Sequence, residues 1–87
     1  MATTAEISAI HTPALARGAA VRLAAAAPAL WRVIDRSGRV IGHLQALSQG
    51  QDVRYRARRF HAASRAFLEL GDFWSADDAV DCLRFAR

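Results

Sequence analysis

Residues 53–67, VRYRARRFHAASRAF, place five arginines in fifteen positions and can be threaded as a strand or as a helix. Val53, Tyr55 and Ala57 alternate with Arg54, Arg56 and Arg58, a period of two that sets three arginines on one face of an extended chain. Val53, Ala57, Phe60, Ser64 and Phe67 also line one side of a helix. The strand is favoured because Val and Tyr begin the segment, an upstream hairpin needs further strands, and the sequence AFLEL that follows is itself extended in character. A turn near His61 to Ser64 would then join two strands. It contains neither glycine nor proline, so the helix stays open as the alternative.

Upstream, LWRVID and RVIGHLQAL flank Arg36-Ser37-Gly38-Arg39 and are rich in β-branched and aromatic residues, which predicts a hairpin. With Gly38 in the left-handed position of a type I turn plus bulge, Ile34 faces Val40, Arg32 faces Gly42 and Leu30 faces Leu44. Trp31, Val33, Ile41 and His43 take the other side. Residues 48–52, SQGQD, read as a loop.

Downstream, Ser75 stands as a helix N-cap with Asp78 three residues on, and Asp77 and Asp78 sit where the helix dipole favours anions. A helix from Ala76 to about Ala86 follows, with Ala76, Ala79, Val80 and Leu83 as its buried face. Phe73 packs onto the same core, and Asp81 and Arg84 are spaced to pair.

At the other end, TPALARGAAVRLAAAA (12–27) opens with Thr12 and Pro13 in N-cap and first-turn positions and runs on in strong helix formers up to Pro28. An N-terminal helix is the expectation, weakened at Gly18. Residues 1–29 are thus a mobile helical extension and 30–87 an antiparallel sheet plus C-terminal helix. The class is α+β: three or four antiparallel strands with the C-terminal helix on one face.

With 87 residues and 53% hydrophobic content, one small folded domain is expected. The twelve basic residues are all arginine, which points to the codon bias of a high-GC bacterium more than to selection of guanidinium at each site. Position has to carry the charge argument. Residues 53–71 hold Arg54, Arg56, Arg58, Arg59 and Arg65 against Glu69, whereas residues 72–87 hold four aspartates against Arg84 and Arg87. A cationic strand and an acidic helix on opposite sides suit phosphates on one face.

The single cysteine, Cys82, forms no internal disulfide, and His11, His43 and His61 show no metal-ligand spacing. No metal and no cofactor are expected, and a reducing, cytoplasmic location fits. The longest apolar run, Leu23 to Trp31, is too short to span a bilayer and includes Pro28; residues 1–29 lack the sustained apolar core of a targeting peptide. Paired catalytic carboxylates, phosphate loops and triads are missing from the pattern, so an enzyme is disfavoured.

The strand-to-helix junction Phe73, Ser75, Ala79 closing an antiparallel sheet resembles the arm-type DNA-binding domain of tyrosine recombinases and the related plant APETALA-type domain. The N-terminal hybrid-binding domain of eukaryotic ribonuclease H ends in a similar junction. The resemblance covers roughly residues 30–86. It implies a sheet laid in the DNA major groove with the helix supporting it from behind.

The first expectation is therefore a small non-enzymatic nucleic-acid-binding module with Arg54, Arg56, Arg58, Arg59 and Arg65 on phosphates, and with Trp31 and Trp74 as candidates for stacking or for an interface. For Trp31 the core is the competing role; for the arginines it is a solvated strand face or pairing with the aspartates. The second expectation is a protein-interaction or homodimerisation domain that uses an apolar face of the hairpin and the N-terminal helix.

Overall fold

A computed structural model of the chain describes residues 11–85. Five strands form one antiparallel meander in sequence order: β1 (Val21–Ala27), β2 (Leu30–Asp35), β3 (Val40–Gln49), β4 (Asp52–His61) and β5 (Ala66–Phe73). Among the described residues one helix, α1 (Ala76–Phe85), follows them and packs on one face of the sheet over β3, β4 and β5. The class is α+β, as expected, with a larger sheet.

The segment 53–67 is a strand followed by a turn. β4 pairs with β3 on one side and with β5 on the other, and residues 62–65 form the connection. Without a glycine there, Arg65 itself takes the left-handed region at φ 53, a conformation that costs a non-glycine residue about 1–2 kcal/mol. Strand pairing on both sides outweighs that cost.

The expected N-terminal helix is not formed. Residues 11–20 run without regular structure, Gly18 turns at φ 80, and Val21–Ala27 becomes the outermost strand of the sheet. Gly18 divides the alanine-rich run into pieces shorter than the ~12–15 residues an isolated helix needs in water. Val21, Leu23 and Ala25 pair with Asp35, Val33 and Trp31 on the side of the sheet that bears α1. Pairing with β2 therefore overrides the helical preference of alanine. Pro28 and Ala29 make the corner between β1 and β2, with Ala29 at φ 60. Of the expected mobile extension, Val21–Ala27 thus belongs to the sheet, while residues 1–10 of it lie outside the described residues.

The leader 11–20 is tied to the side of the sheet that carries the helix. Trp31 Nε1 donates to Thr12 Oγ1 at 3.0 Å, and the Ala16 amide donates to Asp77 Oδ1 at 2.9 Å. One bond closes over the sheet; the other ties the leader to the first turn of α1.

The β2–β3 hairpin forms where expected, with Gly38 at φ 90 and Ile34 opposite Val40. Beyond that pair a bulge at Val33/Ile34 shifts the register, so that Val33 meets Gly42, Arg32 meets His43, Trp31 meets Leu44 and Leu30 meets Gln45. The expected division of faces is corrected accordingly: Trp31, Val33, Gly42 and Leu44 share the helix side, and Leu30, Arg32, His43 and Gln45 share the other.

The core lies between the sheet and α1. Trp31, Val33, Leu44, Ala46 and Ala57 meet Ala76, Ala79, Val80 and Leu83, which is the helix face expected from the sequence. Ser75 Oγ accepts from the Asp78 amide at 3.1 Å, and Arg84 stands 3.8 Å from Asp81. Gly42 is where the helix comes closest. A Cβ there would lie 2.5 Å from Leu83 Cδ2 and 2.8 Å from the Arg58 carbonyl oxygen, and the backbone atom cannot rotate away. Gly42→Ala should therefore lower stability by about 1–3 kcal/mol, as overpacking does. Urea unfolding checks this through a lower midpoint at unchanged slope.

Candidate nucleic-acid interface

β4 alternates without interruption, so Val53, Tyr55 and Ala57 point toward α1 while Arg54, Arg56, Arg58 and Phe60 point to the opposite face. The bulge in the β4–β5 pair falls on β5, where Leu70 is the extra residue between Glu69 and Gly71. Among the described residues no element covers this opposite face.

Register sets the neighbours of each arginine. Arg58 lies beside His43, which lies beside Arg32, giving a row across three strands. Arg56 lies between Gln45 and Asp72, and Arg54 beside Leu47. Phe60 is directly opposite Phe67. Arg32, Gln45, Phe60 and Phe67 were not singled out from the sequence. For Arg32 the alternation of LWRVID about Trp31 and Val33 was the available signal; for the two phenylalanines it was the same period of two that marks the arginines.

The arginines are held in different ways. Arg56 is the most occupied: its Nε and Nη2 donate to the two carboxylate oxygens of Asp72 at 2.8 and 3.1 Å, and Nη1 stands 2.7 Å from Glu69 Oε1. The hydrogen bond from Arg56 holds the Asp72 carboxyl below the usual carboxylate range, with the charges of Arg56 and Arg54 adding to it. Arg54 places its guanidinium 4.3 Å from the Trp74 ring centre and donates to the Asp72 carbonyl oxygen. Arg58 lies 4.7 Å from the Phe67 ring centre and donates to Gln45 Oε1 at 3.3 Å. These contacts point the arginines along the sheet surface. They also leave three buried nitrogens on this face without a hydrogen-bond partner: His43 Nδ1, Arg54 Nε and Arg58 Nε.

Of the other residues expected in the site, Arg59 points to the helix side, where its Nη2 donates to the Leu83 carbonyl at 2.7 Å and caps the end of α1. Arg65 sits in the β4–β5 turn. Neither shares the surface of Arg54, Arg56 and Arg58. Trp31 is only 3% exposed beneath the helix, whereas Trp74 is 64% exposed on the open face. The two tryptophans are therefore on opposite sides of the sheet, and only Trp74 can meet a ligand without unfolding.

Burial, then the charges of Arg32 and Arg58, hold the His43 imidazole below its ordinary pKa. The unfolded chain takes up a proton at higher pH than the folded one, so this contribution to stability is complete above about pH 6.5 and is lost as pH falls below it through the lower folded-state pKa. The unfolding midpoint of the wild type should drop between about pH 7.5 and 5, and that of His43→Gln should drop less. Equal pH profiles would contradict the packing of His43 against the arginine row.

A surface hollow lies elsewhere, between the β2–β3 turn and the C-terminal end of α1, lined by Asp35, Arg36, Arg39, Arg59, Leu83 and Arg84 among others. Its carboxylate is engaged in the turn: Asp35 Oδ1 accepts from the Ser37 amide and hydroxyl and from the Arg39 amide. Among the described residues no three His, Cys, Asp or Glu side chains stand together as a metal site, and no helix is long and apolar enough to cross a membrane. Residues 12–27, expected as a helix with an interaction surface, instead form β1 and its leader.

Comparison with known proteins gives no match to any family model, curated protein or solved structure.

Proposed function

We propose that the chain is a small non-enzymatic nucleic-acid-binding module that presents the open face of its sheet to the ligand. The observation that carries this reading is the sharing of one uncovered face by Arg54, Arg56 and Arg58 with the exposed rings of Trp74, Phe60 and Phe67. Arg32 and Arg22 extend the same face across β2 and β1. Five arginines there stand against Asp72 and Glu69, so the surface keeps a positive excess after its own ion pairs are counted. A purely solvated strand face needs charge but not exposed aromatic rings; a nucleic-acid surface uses both.

Phosphates would displace Asp72 and Glu69 from Arg56 and engage the guanidinium groups of Arg54 and Arg58. Asp72 then acts as a built-in competitor that weakens binding to isolated anions and favours a polyanion able to engage several arginines together. A salt titration tests the reading. With three phosphate contacts, the affinity for an oligonucleotide should fall roughly 20-fold between 50 and 200 mM monovalent salt. Absence of binding at the lower salt would remove the proposal.

A further inference from the structure

We infer that the ligand of this face is single-stranded, bound along β4 with one base stacked on Trp74 and another on the Phe60–Phe67 pair. This rests on the nucleic-acid reading above. A duplex keeps its base faces inside the stack and offers phosphates and groove edges; a single strand offers free base faces to flat side chains.

The three rings are placed for that purpose. Trp74 is pinned on one side by the Arg54 guanidinium at 4.3 Å and remains 64% exposed, which fixes the ring without hiding it. Phe60, 50% exposed, meets Phe67 edge-on at 5.5 Å, and Phe67 is fixed in turn by Arg58 and by His43 at 5.1 Å. The two platforms are separated by the length of β4 from Arg54 to Phe60, roughly 20 Å for an extended chain. Arg54, Arg56 and Arg58 fill that interval at steps of about 6.6 Å, comparable to the separation of successive phosphates in an extended single strand.

Shape argues the same way. β4 has β5 on one side and three strands on the other, so the sheet is about 19 Å across at ~4.8 Å per strand interval. The major groove is only about 12 Å wide and admits a helix or a two-stranded ribbon. The five-stranded sheet as a whole is therefore wider than that groove.

The test compares a 12-nucleotide DNA, its RNA counterpart and the 12-base-pair DNA duplex by fluorescence anisotropy at 50 mM salt, with tryptophan emission recorded alongside. The single strands should bind at least 10-fold more tightly than the duplex and quench Trp74. Trp74→Ala should weaken single-strand binding roughly 5- to 150-fold, the range of one base-stacking contact, and Phe60→Ala should do so independently, with both variants checked for folding by circular dichroism. Duplex binding equal to or tighter than single-strand binding, with no effect of either variant, would overturn this inference and leave the nucleic-acid reading intact. Failure of all three probes to bind would remove the reading beneath it.

Discussion

Leu83→Ala is expected to lower the stability of the domain by about 2–5 kcal/mol, the range for deleting a fully buried leucine. Leu83 is 1% exposed, and it closes the contact between α1 and the sheet at Gly42. A domain of this size has in total roughly 4–13 kcal/mol. The variant should therefore melt at least about 8 °C below wild type, since each kcal/mol moves the midpoint of a small domain by ~4–8 °C. Phe85→Ala, at a residue 66% exposed, serves as the control and should change little. A loss below about 1 kcal/mol at Leu83 would show that the helix does not seal the sheet as described.

Replacing Arg54, Arg56 and Arg58 together by alanine should produce the largest loss of binding. Three charge-bearing contacts at about 1 kcal/mol each correspond to a fall in oligonucleotide affinity of roughly 100-fold at low salt. The slope of log affinity against log salt should shrink by about 2, at ~0.7 per phosphate contact on a single strand. The fold should survive, because exposed ion pairs such as Arg56 with Glu69 contribute at most ~1 kcal/mol. The charge-matched variant for comparison is Arg17, Arg36 and Arg39 to alanine, which removes three arginines from the leader and the β2–β3 turn. Equal losses in both variants would mean that net charge alone sets affinity and that the sheet face has no special part.

The portion of the fold legible in the sequence is the portion where side-chain chemistry and backbone period agree. Alternation of valine, tyrosine and alanine with arginine marks β4, and the serine cap with its following aspartates marks α1 at its observed start. VRLAAAA fails for the opposite reason. Alanine carries no signal for a buried or an exposed face, so the period of two in Val21 and Leu23 is too short to outweigh a run of helix formers. What decides β1 is the unpaired edge of β2, a tertiary demand that local propensity does not contain. The slip in the hairpin register has a similar origin, since the bulge at Val33/Ile34 brings Val33 over Gly42 and lets Leu83 pack there.

The site was legible in its alternation and not in its membership. Arg59 follows Arg58 directly and is indistinguishable in composition, yet strand geometry turns it to the helix and into the carbonyl of Leu83. Phe60 shares the period of two of the arginines, but Phe67 joins it only through the turn at 62–65, and Asp72 comes beside Arg56 only through the bulge at Leu70, which the run AFLEL does not announce.

The two tryptophans and the arginine row allow one decisive measurement. In a nuclear magnetic resonance titration with a single-stranded oligonucleotide, the indole signal of Trp74 and the Nε–H signals of Arg54 and Arg58 should shift together. Those of Trp31 and Arg59, on the helix side, should stay in place. Shifts confined to Trp31, Arg59 and the helix, or spread evenly over every arginine, would contradict the assignment of the open sheet face as the binding surface.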